Sequence, residues 1–286
     1  MRLHHSYLEI ALAEAQTMRG FCAPNPAVGA VIVDELGQVV ARGHHHGPGT
    51  PHAEIDALRQ LSATRKGMTL YVTLEPCCHY GRTPPCTEAI IHSGIKHVIY
   101  AYQDPNPIVA GKGAEKLKAA GISCEYLPSS AIDAFYQSYH FWHTHHVPRV
   151  TTKLAMTMNG KIAGVNGERV QITGLELQEL THQQRKQTDA ILTTAKTIHA
   201  DNPLLNVRLN NEIFAKPIYI LDGSLSLSTD ANIFSTAKSV TLLHSAEADL
   251  SKREMFASAG VRCVAIASHG NKLELTEVMR QIGQDG

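Results

Sequence analysis

Apolar residues at Leu8, Ala11, Leu12, Ala15 and Met18 recur at the spacing of one helix face, which predicts a helix over 4–18 with Gly20 as its stop. Pro24-Asn25-Pro26 then turns the chain into an unbroken apolar run, a strand over Val28–Val33. Asp34-Glu35-Leu36-Gly37 is a hairpin-like turn into a second strand, Val39–Arg42. From there helix and strand patterns alternate: helix His52–Leu61, strand Thr69–Leu74, and a helix from Pro84-Pro85-Cys86 to about His92, closed by Gly94. Strand His97–Tyr102, helix Gly111–Ala120 and strand Ile122–Tyr126 follow. Such alternation argues for an α/β domain around a mainly parallel sheet with helices on both faces. A last helix, Ala131–His146, runs into Val147-Pro148, which places a domain boundary between 1–147 and 148–286. Residues 149–163 then alternate as a new strand, and β and α patterns recur to the end.

A length of 286 residues suits two cores. Lys+Arg and Asp+Glu balance at 26 each, so no net charge points to nucleic acid or an anionic membrane. No apolar run approaches the roughly 18 residues of a membrane span, and the N-terminus lacks a charged-then-apolar leader pattern. Six cysteines sit at 22, 77, 78, 86, 124 and 263. Three of them fall in one ten-residue stretch, which reads as a metal site in a reducing cytoplasm and not a disulfide framework. Most of the 17 histidines fall outside any ligand spacing. The run Tyr139-His140-Phe141-Trp142-His143-Thr144-His145-His146 reads as a helix end with packed aromatics and solvated imidazoles.

One constellation carries specific chemistry. His52-Ala53-Glu54, Pro76-Cys77 and Pro85-Cys86 supply one imidazole, two thiolates and a carboxylate that need not bind metal. Three protein ligands with a fourth position left for water are what a hydrolytic zinc centre needs. In zinc deaminases the Glu two residues after the ligand His moves the protons, and Glu54 occupies that place. His52 and Cys86 fall at predicted helix starts, where unpaired N–H groups lower a thiol pKa. A structural zinc would instead close the fourth position, for which Cys78 or His79 is available; Cys78 otherwise reads as a free, partly buried thiol.

At these residues the chain resembles the bifunctional riboflavin-biosynthesis deaminase/reductases. The resemblance rests on Thr73-Leu74-Glu75-Pro76-Cys77-Cys78-His79-Tyr80-Gly81-Arg82-Thr83-Pro84-Pro85-Cys86, on Pro24-Asn25-Pro26-Ala27-Val28-Gly29, on Gly49-Thr50-Pro51-His52-Ala53-Glu54 and on Gln103-Asp104-Pro105-Asn106-Pro107. The eight residues between Cys77 and Cys86 set it apart from deaminases that place two there. It implies a cytidine-deaminase-like three-layer α/β/α domain with one Zn²⁺ per chain, held by His52, Cys77 and Cys86, and Glu54 as proton shuttle. It further implies that Asn25, His45, His79 and Asn106 line the substrate pocket, and that Arg82 and Thr83 approach a ribose phosphate. The substrate implied is a small phosphorylated pyrimidine. Neutral net charge and only 6% aromatics argue against a nucleic-acid base as target. A cytoplasmic homo-oligomer is the family's expectation.

Residues 148–286 resemble the family's dihydrofolate-reductase-like α/β domain, which implies NADPH. Lys153, Thr173, Thr197, Asp201, Leu205 and Arg208 match its substrate or cofactor positions. The departures are Thr157-Met158-Asn159-Gly160 for a Ser-Leu-Asp-Gly turn, Gln171-Ile172-Thr173 for Trp-Ile-Thr, and Gln178 where an Arg is expected near the phosphate. The chain ends at Gly283-Gln284-Asp285-Gly286, where the family continues into a Glu-Gly-Gly segment, so the expectation is an incomplete, divergent domain. Whether that domain reduces or only packs beside a working deaminase is left open by the residues alone.

Overall fold

The computed structural model describes residues 2–61, 67–81, 83–269 and 272–286. The chain divides into two compact units, Met1–Arg149 with Asp285–Gly286, and Val150–Gln284.

In the first unit the elements are α1 (Arg2–Thr17), β1 (Gly29–Val33), β2 (Val39–His44), α2 (Ala53–Leu58), β3 (Thr69–Val72), α3 (Cys86–His92), β4 (His97–Tyr100), α4 (Lys112–Ala119), β5 (Ser123–Tyr126) and α5 (Ser130–His145). Five strands form one sheet in the order β2-β1-β3-β4-β5. The sheet is mixed, not mainly parallel: β1 pairs antiparallel with both β2 and β3, and only β3-β4-β5 run parallel. The cause is the tight connection after β1, where the Asp34 carboxylate accepts the N–H groups of Leu36 and Gln38 and folds the chain straight back.

Strand alternation sorts the core into two layers. Ala30, Ile32, Leu70, Val72 and Val98 pack with α2, α3 and α4 through Ala53, Ala57, Cys86, Ile90, Ala114 and Leu117. Val31, Val33, Tyr71 and Ile99 face α1 and α5 through Leu8, Ala11, Leu12, Ala15, Ile132 and Tyr136. The apolar stripe read from the sequence is therefore the face of α1 that meets the sheet. Gly29 permits that approach, because a Cβ there would run into the backbone of Ala11 and Ala15.

The second unit carries α6 (Leu175–Gln187), β6 (Ile191–Thr194), α7 (Ala195–Asp201), β7 (Val207–Leu209), β8 (Glu212–Phe214), β9 (Pro217–Leu221), α8 (Ile233–Thr236), β10 (Ser239–Ser245), α9 (Leu250–Ser258), β11 (Arg262–Ile266) and α10 (Leu275–Asp285). Its main sheet, β11-β10-β9-β6, is parallel throughout. Ile198, Ile233 and Phe256 cover one face and Val278 of α10 packs on the other. The antiparallel pair β7–β8 turns through Asn210 and Asn211 at φ 50° and 63°, the residue type that tolerates a left-handed hairpin turn.

Residues 149–163 do not form the expected strand. The Thr157–Lys161 turn closes, with the Gly160 N–H on the Thr157 carbonyl at 2.9 Å. The residues before it carry neither helix nor ladder, and Leu154 is 70% exposed. Alternation marks a segment that suits a strand, but a strand exists only by pairing, and no described strand pairs with this one.

Candidate active site

Two short helices bring the chemistry of the first unit together. His52 is the extended residue that opens α2, and its carbonyl accepts the Asp56 N–H, so Glu54 falls in the first turn and is buried. Cys86 is the first residue of α3, preceded by Pro85. The Cys86 N–H points at the Cys77 sulfur at 3.3 Å, and the Thr87 N–H donates to the Cys77 carbonyl at 3.1 Å. The helix terminus thus serves Cys77 as much as the cysteine that lies on it.

His52 Nδ1 lies 3.2 Å from the Cys86 sulfur and 3.5 Å from the Cys77 sulfur. All three donor atoms fall within 4.8 Å of one another. Among the described residues neither Cys78 nor His79 joins this group. The donor set fits a zinc ion with a fourth position left free. The other imidazole nitrogen, Nε2, meets the Thr83 hydroxyl at 3.3 Å, an outer contact of the kind that fixes a ligand ring.

The electrostatics follow from crowding. A hydrogen bond from the Cys86 thiol, then one from His52, hold the Cys77 thiol down to about 4. Its partner Cys86 moves the opposite way, chiefly because it shares that proton and then because it is buried. The Cys77 hydrogen bond also raises His52. Burial, then the neighbouring Cys77, pushes Glu54 up to about 7, the range where a carboxyl both takes and gives a proton at neutral pH.

These groups open into a cavity of about 260 Å³, on the scale of a small molecule. Its walls include Asn25, His45, His52, Glu54, Cys77, His79, Thr83 and Asn106, which gathers nearly every residue singled out in this half. Arg82 lies outside the described residues. The Asn25 amide and His45 Nε2 are 3.0 Å apart, while His45 Nδ1 meets the Pro51 carbonyl at 3.1 Å. Burial lowers the His45 pKa. The Asn25 loop is held from below, where the Tyr136 hydroxyl donates to the Ala27 carbonyl and meets Thr73 Oγ1 at 2.6 Å. His79 Nδ1 is buried without a partner among the described residues, a donor or acceptor left for a ligand.

Among the wall residues that sequence reasoning gave no role are Glu75, Asp104 and Tyr139. Tyr139 donates to Asp104 at 3.3 Å, and burial pushes that carboxyl up to about 6. Asp104 and Glu75 stood inside quoted motifs without a role. Tyr139 was legible only as one ring in an aromatic run. Within that run His143 lies against Tyr139 and Trp142 and Phe141 against His145, while His140 reaches out to the Tyr102 hydroxyl.

The candidates of the second unit are dispersed. Lys153 is exposed in the unpaired segment, and Thr197 and Asp201 are exposed on α7. Thr173 is half-buried, and its carbonyl accepts the Gln171 and Gln178 side-chain amides. Leu205 closes a strained loop in which it and Asn202 have φ of 46° and 39°. Asn232 and Thr236 pin that loop by hydrogen bonds to Asn202 and Leu204. One convergence stands out: Arg208 reaches the Asn206 side chain at 2.6 Å and Arg185 the Asn206 carbonyl at 2.7 Å. Gln178 lacks a charge, but Arg185, two turns further along α6, places a guanidinium beside Arg208.

Two family models cover most of the chain: the cytidine and deoxycytidylate deaminase zinc-binding region matches residues 1–102, and the RibD C-terminal domain matches 148–286. The riboflavin biosynthesis protein RibD of Aquifex aeolicus is 38% identical over 98% of this chain and 80% of its own length. That of Escherichia coli is 35% identical over 97% and 78%. The solved structure of Acinetobacter baumannii RibD superposes over 99% of this chain and 78% of that one, with a TM-score of 0.87 at 33% identity. A Thermotoga maritima diaminohydroxyphosphoribosylaminopyrimidine deaminase/5-amino-6-(5-phosphoribosylamino)uracil reductase gives 0.84 at 32% identity, covering 99% of this chain and 78% of that one.

Proposed function

The chain belongs to the RibD family of riboflavin-biosynthesis proteins, and on that premise we propose that residues 1–147 deaminate 2,5-diamino-6-ribosylamino-4(3H)-pyrimidinone 5′-phosphate at its ring 2-amino group. The observation that carries the reading is the three-donor cluster with buried Glu54 beside it, opening into one pocket with Asn25, His45, His79 and Asn106. His52 Nδ1 and the Cys77 and Cys86 sulfurs would hold one zinc ion. Zinc supplies the Lewis acid that readies water for attack at neutral pH. With a cation in the cluster the carboxylate form of Glu54 is favoured, so Glu54 starts as proton acceptor. It takes a proton from the attacking water, passes it to the ring nitrogen, and delivers the next to the amine that leaves as ammonia. The Asn25–His45 pair and the unpartnered His79 Nδ1 orient the ring, and the loop of Arg82 and Thr83 receives the ribose phosphate.

Residues 148–286 are the reductase half. By the family positions, Lys153, Thr173, Thr197, Asp201 and Leu205 would contact substrate or NADPH, which would supply the hydride, and Arg185 with Arg208 would hold the sugar phosphate as a charged fork. Two guanidiniums converging on Asn206 favour a bifunctional chain over a deaminase with an inert second domain. The cytoplasm is the compartment this reading assigns, and no described helix is long and apolar enough to cross a membrane. A homo-oligomer in that compartment completes the reading, and light scattering of the purified protein checks it.

The deciding experiment supplies the zinc-loaded chain with the diaminopyrimidine ribosyl phosphate, with and without NADPH. Ammonia release without NADPH, followed by NADPH oxidation when it is added, is the expected result. Zinc-loaded protein that releases no ammonia overturns the deaminase reading, and ammonia without NADPH consumption overturns the reductase one.

A further inference from the structure

Glu75 is buried at the floor of the pocket yet has no place in the proton chemistry above. One of its carboxylate oxygens accepts the Gly111 N–H at 2.9 Å, and the other accepts the Ala114 N–H at 3.3 Å. Both donors belong to the start of α4, which opens at Gly111 with φ 77°. The same junction is closed by packing, since a Cβ at Gly113 would collide with the Pro76 carbonyl. Glu75 also donates its own N–H to the Tyr102 carbonyl at 2.9 Å. One side chain therefore joins two segments that approach the pocket from different strands. Pro76-Cys77, its immediate successors, supply a metal donor. The 104–111 loop, which ends at its hydrogen-bond partner, supplies Asp104, Asn106 and Val109 to the wall.

We propose that Glu75 is a positioning residue of the deaminase site, a clamp that holds the Cys77 turn and the Asn106 loop in register. The proposal rests on the zinc-deaminase reading. Its physical content is a coupling. A carboxylate with both oxygens committed to backbone N–H groups resists displacement of either segment, so a shift at the metal donor becomes a shift at the substrate wall. An amide in its place keeps the shape but turns an NH₂ group towards one of the two N–H donors. That repels one of the two tethers while leaving the packing of Gly113 on Pro76 intact.

The test compares the full chain with Glu75→Gln, using zinc affinity by chelator competition, kcat and KM for the pyrimidine substrate, and amide hydrogen exchange at Gly111 and Ala114. The expected result is a loss of zinc affinity on the order of 10-fold or more, a rise in KM, and faster exchange at one or both amides. Unchanged zinc affinity and KM, with only a lower unfolding temperature, would mean that Glu75 merely caps α4, and the proposal falls. Should Glu75→Gln not fold, Glu75→Asp keeps the charge one methylene short and carries the same expectation at smaller size. A wild-type chain that neither binds zinc nor releases ammonia refutes the deaminase reading itself, a result distinct from a clamp that fails in an active enzyme.

Discussion

The two halves of this chain each hold a set of candidate residues and treat them differently. In the first, residues from β1 entry to α5 converge on one cavity, most of them carried by a loop tied to the sheet or by a helix start. In the second, Lys153, Thr197 and Asp201 stand exposed, and only Arg185 and Arg208 meet, on Asn206. The difference lies in anchoring, not in residue type. Cys77 is held by the α3 amides, Asn25 by His45 and by the Tyr136 contact on Ala27, and Asp104 by Tyr139. Lys153 lies in a segment that no described strand pairs. A motif becomes a site where its backbone has somewhere to bond.

Changes in each half should therefore have effects of different size. The largest is expected from Glu54→Gln: ammonia release falls by about 10²- to 10⁴-fold while zinc content, read by metal analysis, stays at one per chain. Activity that survives in this variant removes Glu54 from its role. Next, Arg208→Ala and Arg185→Ala each remove a charged hydrogen-bond donor worth about 1.5–3 kcal/mol. The KM of the NADPH-consuming step should rise roughly 10- to 100-fold with ammonia release unchanged. Equal damage to both activities would dissolve the contrast between the halves.

Asp104→Asn addresses a pH dependence confined to the first half. Burial raises the Asp104 pKa from 3.8 to about 6, so the folded state binds that proton more tightly than the unfolded chain. The stability it contributes is complete below about pH 4 and lost as pH rises through about 6. At roughly 1.4 kcal/mol per pH unit, the neutral variant should gain up to about 3 kcal/mol on the native protein between pH 4 and 7. Urea unfolding at a series of pH values reads this difference, and a difference that stays flat removes Asp104 as its source. The smallest expected effect is that of Gly29→Ala, where a methyl against the Ala11 backbone costs about 1–3 kcal/mol of first-unit stability. A thermal scan showing no loss would mean that α1 moves off the sheet freely.

Much of this was legible beforehand. The stripe on α1, the alternating elements, the hairpin at Asp34 and the donor set His52, Cys77 and Cys86 all follow from local periodicity and side-chain chemistry. Local rules also place Glu54, since a helix that starts at His52 puts it in the first turn. What failed were statements that need a second segment. Alternation alone does not make a strand of 149–163, and the hairpin at Asp34 makes the sheet mixed although the later helix–strand alternation points to a mainly parallel one. Glu75, Asp104 and Tyr139 had no signal of their own, because Glu75 meets Gly111 and Asp104 meets Tyr139 only across the fold.

The sequence by itself determined the elements of the first unit, the face that α1 buries and which residues can bind a metal or move a proton, because periodicity, turn chemistry and donor type are local properties. Only the tertiary structure decided that the α3 amides serve Cys77, that Arg185 stands beside Arg208, and that a buried carboxylate joins two loops. Hydrogen bonds and ionisation depend on distances of a few ångströms between residues far apart in the chain, and those distances exist only once the layers have packed.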